Sequence, residues 1–284
     1  MRIAVLTDTN SGITVEEAEK HSISLIPMPF FIDGVLYFEG FSLSQAEFFE
    51  KQAADAEIST SQPSPADVTS KWDELLKDYD QIVHIPMSSG LSSSCESAKA
   101  MALDYEGRVF VVDNKRISVP MKESVYNALE LIQQGFDGAE IKRILEEDGQ
   151  NAHVFITVST LKYLKKGGRI TPAAAAIGTA LNIKPVLQIG GGKLDAFAKV
   201  RGMKQAEQKM LDAVRKELEE RYAGETCLIR AAYSGDPEQG REWVKKVADA
   251  FPGMEVYGDP LALSIACHTG PGAYGITCIK KFKV

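Results

Sequence analysis

Residues 81–114 read QIVHIPMSSGLSSSCESAKAMALDYEGRVFVVDN. The runs 81–86 and 108–114 are short, apolar and closed by polar turn residues, the pattern of buried strands. Between them 93–103 carries helical spacing, and Ser93 with Glu96 three residues on has the form of a capping box. Strand, helix and strand in one such stretch predict a β-α-β unit. Parallel strands of this kind need helices on both faces of their sheet, so the fold class is α/β.

The rhythm continues in both directions. Residues 2–8 (RIAVLTD) form another buried strand, and Thr14 with Glu17 caps a helix after it. Residues 24–40 hold two extended segments around Asp33-Gly34, and their prolines mark an edge or a surface flap. Helices are expected over 42–53, 120–134 and 138–147. A second series begins with a strand at 153–159, followed by short helices over 160–166 and 172–181. Residues 182–202 alternate and turn at three glycines, which predicts a hairpin. A long amphipathic helix follows over 204–222, with Ala206, Met210, Val214, Leu218 and Tyr222 on one stripe. Strand 226–233, helix 237–251, strand 254–258, a short helix near 260–267 and strand 276–282 complete the chain. The linker near 149–152 divides it into expected domains 1–150 and 151–284.

Composition narrows the function. The chain has 284 residues, 44% hydrophobic and 25% charged, with a net charge of -7. That is enough for one large core or two ordinary ones, and it gives no basic footprint for nucleic acid. The four cysteines form no C-x-x-C pair and read as free thiols in a reducing compartment. The first apolar run is too short for a signal peptide, and the longest, 173–183, falls short of the ~18 residues that span a bilayer. A cytoplasmic protein without a membrane span is expected.

Several motifs carry possible chemistry. Gly270-x-Gly272-x-x-Gly275 has the spacing of a dinucleotide fingerprint, but a helix precedes it, a strand follows, and none of the nine residues after Gly275 is acidic. It reads as a tight helix-to-strand turn, or as a close backbone approach that aims His268 and Thr269 at a ligand. Residues 190–193 (GGGK) have Leu187 and Leu194 where a phosphate loop needs Gly and Ser or Thr, so a hairpin turn is expected. Residues 59–65 (STSQPSP) form a hydroxyl-rich loop with Ser64 as N-cap and Pro65 in the first helical turn. Residues 88–98 (SSGLSSSCESA) either cap a helix or add an anion site at its N-terminus. Residues 165–171 (KKGGRIT) look like a helix end with Gly167 as left-handed cap; Arg169 is a surface charge or an anion partner. The nucleophile elbow G-x-S-x-G is missing, and His21, His84 and His153 read as structural.

Seven of these segments, in order, resemble the DegV family: TDTNSGI, STSQPSP, SSGLSSSCESA, VVDNK, LKYLKKGGRI, LNIKPVL and HTGPGAYG. The resemblance spans the chain. It implies a two-domain DegV-like α/β fold, each domain a mostly parallel sheet flanked by helices, with a long-chain fatty acid between the domains. It implies a carrier and not an enzyme, without a cofactor, that presents the carboxylate to a separate ATP-dependent fatty acid kinase subunit for acyl-phosphate formation. The family's headgroup site would fall on Thr60, Ser92, His268 and Thr269, with Ser61 and Ser94 as neighbours and Arg169 at the mouth. The family usually reads L-S-G-T where this chain has Leu91-Ser92-Ser93-Ser94, so Ser93 places a side chain at a glycine position. Candidate tunnel walls are Phe30, Phe31, Ile32, Ile117, Ile156, Leu161, Leu164, Ile177, Leu181 and Leu187. Burial of about 15 methylenes at ~0.8 kcal/mol each supplies roughly 12 kcal/mol gross, less the ordering costs. Two other readings stay open: a lipid esterase using Ser92 or Ser94 with His268, and an anion-binding regulatory module.

Overall fold

Ile3–Asp8 (β1) is buried along its whole length in the computed structural model, which describes residues 1–177, 182–189 and 192–283. The chain continues through Val15–His21 (α1), where Thr14 and Glu17 form the expected capping box, and Ile23–Ile26 (β2). Pro29–Ile32 (β3) and Val35–Phe38 (β4) pair antiparallel across Asp33 and Gly34, which both have positive φ, 50° and 79°. That is the two-residue turn whose twist matches paired strands. Gln45–Ala53 (α2) leads to Ile58–Thr60 (β5), which pairs with β3 and completes a three-stranded antiparallel flap. Pro65–Leu75 (α3) starts at Ser64 and Pro65 as expected. Gln81–Ile85 (β6), Ser94–Ala102 (α4) and Val109–Val111 (β7) are the β-α-β unit read first. Val119–Gln133 (α5) and Gly138–Asp148 (α6) close this half. Its main sheet, in the order β2-β1-β6-β7, is parallel at every pairing.

The second half runs Ala152–Thr157 (β8), Lys162–Gly167 (α7), Pro172–Ala175 (α8), Ile183–Ile189 (β9), Asp195–Arg201 (β10), Met203–Lys216 (α9), Cys227–Tyr233 (β11), Pro237–Ala250 (α10), Val256–Pro260 (β12), Leu263–Thr269 (α11) and Tyr274–Lys280 (β13). Helix α9 continues as a π-helical turn, Glu217–Arg221. The helix expected to reach Leu181 and the hairpin turn at Gly190 lie partly outside the described residues.

The α/β class and the two-domain architecture hold. The second sheet departs from the expected mostly parallel form. Its order is β10-β9-β8-β13-β11-β12, and among the described strands β11-β12 is the parallel pair while the other pairings are antiparallel. Apolar runs show that a strand is buried, but carry no sign of its direction. Direction follows from where each connection returns the chain. The β9–β10 hairpin and the return from α11 into β13, between β8 and β11, make this sheet antiparallel.

One face of this sheet, with Ile229, Ala231, Ile276 and Cys278, packs on α9 and α10. The other, with Ile156, Leu187, Ile189 and Ala232, joins the main core together with Met121, Val125 and Leu131 of α5. Helix α5 touches β1 and β6 on one side and β11 and β13 on the other, so it lies between the two sheets. The candidate site opens on this second face.

Candidate functional site

A cavity of about 300 Å3 runs along that face, within the range of small-ligand pockets. Its polar groups come from segments far apart in sequence. Thr60 ends β5 and Ser61 follows it. Ser92 and Ser93 lie in the loop between β6 and α4. Arg169 follows α7, and His268 and Thr269 close α11. The rest of the wall is largely apolar and includes Met28, Met87, Leu91, Val154, Ile189, Leu194, Leu261 and Ile265.

His268 organises the polar end. Its Nε2 lies 2.9 Å from Thr60 Oγ1, and the two share one hydrogen bond whose direction depends on the tautomer. Burial, with the Arg169 cation second, pushes the imidazole pKa down to about 4. The ring is therefore neutral at neutral pH. A Cβ on Gly167 would overlap this ring, so Gly167 serves close approach. The left-handed cap expected there sits on Gly168, φ 68°. The Arg169 guanidinium donates to the carbonyls of Gly167 and of Leu91, the latter at 3.3 Å. It ties α7 to the serine loop. After α11, Gly270 and Gly272 have φ of 71° and 72°, and side chains there would strike Tyr163 and Ser159. The glycines thus make the tight turn and also the close approach; Gly275 lies inside β13.

The serine loop differs from its reading. Ser93 makes no side-chain bond at the N-terminus of α4, so the expected box with Glu96 does not form. Ser92 Oγ accepts from the Ser94 amide at 3.2 Å instead, taking up a free helix N–H. Ser94 faces away from the cavity: its Oγ is buried with no partner among the described residues, and it borders a small pocket of about 20 Å3 with Asp8 and His84. The helix start turns successive side chains to different sides, so Ser92 and Ser94 cannot share one pocket. That geometry separates Ser94 from His268 and the main cavity. For Ser92, no carboxylate bonds His268 among the described residues, so the orienting third member of a triad is missing.

The remaining expected residues fall as follows. Ser61 lines the cavity and donates to Gln62 O at 3.1 Å. Thr269 lines it with long contacts of 3.4 Å to Ile265 O and Gly270 O. Of the expected walls, Ile117, Ile156 and Leu164 border the cavity. Phe30 and Ile32 instead seal the flap onto α11, and Phe31 points to the other face of β3. Leu161, Ile177 and Leu187 belong to the main core behind the wall. Leu181 lies outside the described residues. Sequence reasoning missed Asn10, Ser118, Ser264 and Thr277. Asn10 stood inside the TDTNSGI motif and was a readable signal; Ser264 and Thr277 are ordinary helix and strand residues in the sequence, and Ser118 is a loop residue just before α5.

A family model described as an uncharacterised protein family, DegV, matches residues 2–281. The chain belongs to the DegV family. A DegV domain-containing protein of Deinococcus radiodurans is 32% identical over 277 residues, covering 97% of this chain and 98% of that one. A solved DegV-family structure from Thermus thermophilus, described by its fatty acid binding, matches with a TM-score of 0.89 at 32% identity over 99% of this chain and all, 100%, of that one. DegV of Bacillus subtilis, described as a fatty acid binding protein, matches with a TM-score of 0.87 at 28% identity, over 99% and 100% of the two chains. Among the described residues of this DegV-family chain no helix is long and apolar enough to cross a membrane.

Proposed function

We propose that this chain is a lipid-binding carrier that holds a long-chain fatty acid and presents its carboxylate to a separate ATP-dependent kinase subunit in the cytoplasm. The observation that carries this reading is one cavity with a polar mouth and a long apolar wall. Thr60, Ser61, Ser92, His268 and Thr269 supply donors for the carboxylate, and Arg169 adds a cation at the mouth. A neutral imidazole suits this role, because it donates one hydrogen bond without the cost of a buried charge. The ligand lies between an N-terminal domain, 1–150, and a C-terminal domain, 151–284. The chain itself is not catalytic and needs no cofactor; the partner supplies ATP and the phosphoryl transfer. Fatty-acid-binding relatives with the same fold support this reading.

The test is denaturing extraction of the purified protein followed by mass spectrometry. A near-stoichiometric long-chain fatty acid is expected. Ser92→Ala combined with His268→Ala should lower copurified lipid and slow phosphorylation by a partner kinase at least tenfold, the loss of two hydrogen bonds. Lipid content and phosphorylation that both stay at the wild-type level would remove these residues from the headgroup site.

A further inference from the structure

Thr277 gives the sheet wall of the cavity a polar point. It borders the cavity together with Gly275, two residues earlier on β13. Its neighbours Ile276 and Cys278 belong to the opposite face, against α9 and α10, so strand alternation turns the Thr277 side chain toward the cavity. Thr277 is 0% exposed. Among the described residues its hydroxyl has one acceptor, the carbonyl of Cys278 at 3.5 Å. That exceeds the usual O–H···O length, whereas buried hydroxyls normally have a good partner. Thr157, one strand away, gives its hydroxyl to Pro185 O at 2.7 Å.

The strand register sets its depth. Ser234 directly follows β11 and bonds the Gly270 carbonyl, so it marks the level of the polar mouth. Thr277 pairs with Arg230, four residues earlier on that strand. At 3.3 Å per residue this places it about 13 Å deeper. Its cross-strand neighbour on the other side is Val154, with Ile189 beyond.

We infer that Thr277 is a hydrogen-bonding subsite for an oxygen on the middle of the acyl chain, and that the ligands include mid-chain hydroxy fatty acids. The inference rests on the fatty-acid reading above. A hydroxyl entering a wholly apolar tunnel loses its water without replacement and is penalised. Here it meets a hydroxyl without a good partner, and each can donate to or accept from the other.

The test titrates the delipidated full chain with stearic acid, 10-hydroxystearic acid and 12-hydroxystearic acid. It is repeated with Thr277→Val, which keeps the shape and removes the hydroxyl, and with Thr277→Ser, which keeps the hydroxyl. Wild type should bind one of the hydroxy acids at least as tightly as stearic acid. Thr277→Val should lower the affinity for that acid relative to stearic acid about tenfold, while Thr277→Ser retains the preference. Rejection of both hydroxy acids by a wild type that binds stearic acid overturns the inference and leaves the carrier reading intact. So does equal hydroxy-acid affinity in wild type and Thr277→Val, or loss of the preference in Thr277→Ser. Failure of wild type to bind any of the three overturns both.

Discussion

His268 keeps its position because nothing larger than hydrogen stands at residue 167. Gly167 lies in α7 with helical backbone, where alanine is otherwise favoured by about 1 kcal/mol. Gly167→Ala should therefore fold, yet push the imidazole off the 2.9 Å contact with Thr60. Fatty-acid affinity is expected to fall about tenfold, one hydrogen bond's worth, in a fluorescent fatty-acid displacement assay. An unchanged affinity would show that the ring position does not matter to the ligand. The Gly167-Gly168 pair was legible as a helix end. Which glycine takes the left-handed turn and which admits a ring was not, because the ring arrives from far along the chain. Thr60, Ser92 and His268 were legible only through motif resemblance, since local pattern explains each as a cap or a loop residue.

At the scale of elements, the flap of β3, β4 and β5 is fastened along the whole of α11. Phe30, Ile32 and Phe48 meet Leu263, Ala266 and Cys267. Gln45 Nε2 donates to Leu261 O at 3.1 Å, and Gln52 Nε2 to Ala266 O at 3.3 Å. At the other end Glu39 accepts from the Leu263 and Ser264 amides, which open α11. Burial nevertheless raises the Glu39 carboxyl to about 7, against the pull of those amides. The folded chain thus binds this proton more tightly than the unfolded chain. The resulting stability is full below the ordinary value of 4.5 and is lost as pH rises through about 7. Glu39→Gln keeps an acceptor and removes the charge. It should gain up to about 3 kcal/mol on wild type between pH 5 and pH 8, read from urea midpoints. A difference that does not vary with pH would mean that Glu39 ionises normally. The flap itself was readable from Asp33-Gly34 and its prolines. Its docking on α11 was not, because Phe30 and Ile32 look the same whether they face a ligand or a helix.

For the whole molecule, α5 joins the two sheets through buried charge. Lys122 lies within 3.0 Å of both Glu17 and Asp259, and Glu123 lies 2.6 Å from Arg230 of β11. A Lys-Glu pair inside a helix reads from sequence as a solvent face. Here the side chains of Lys122, Glu123 and Arg230 are 5%, 11% and 4% exposed, and the partners come from segments that only the folded chain brings near. Tyr257 also donates to Glu123, and burial with that carboxylate raises the phenol pKa. Arg230 stands beside Thr277 in the register, so this pair joins the halves next to the cavity wall. Removing one member leaves a buried charge without its partner, which costs about 3–5 kcal/mol. Arg230→Met should lower stability by that amount in chemical denaturation. Adding Glu123→Gln should recover part of the loss, because the amide needs no counter-charge, and this recovery distinguishes a stranded carboxylate from simple loss of packing. A single-variant loss under about 1 kcal/mol would mean that the ion pair contributes no more than a surface one, leaving apolar contacts of α5 such as Met121, Val125 and Leu131 to hold the halves together.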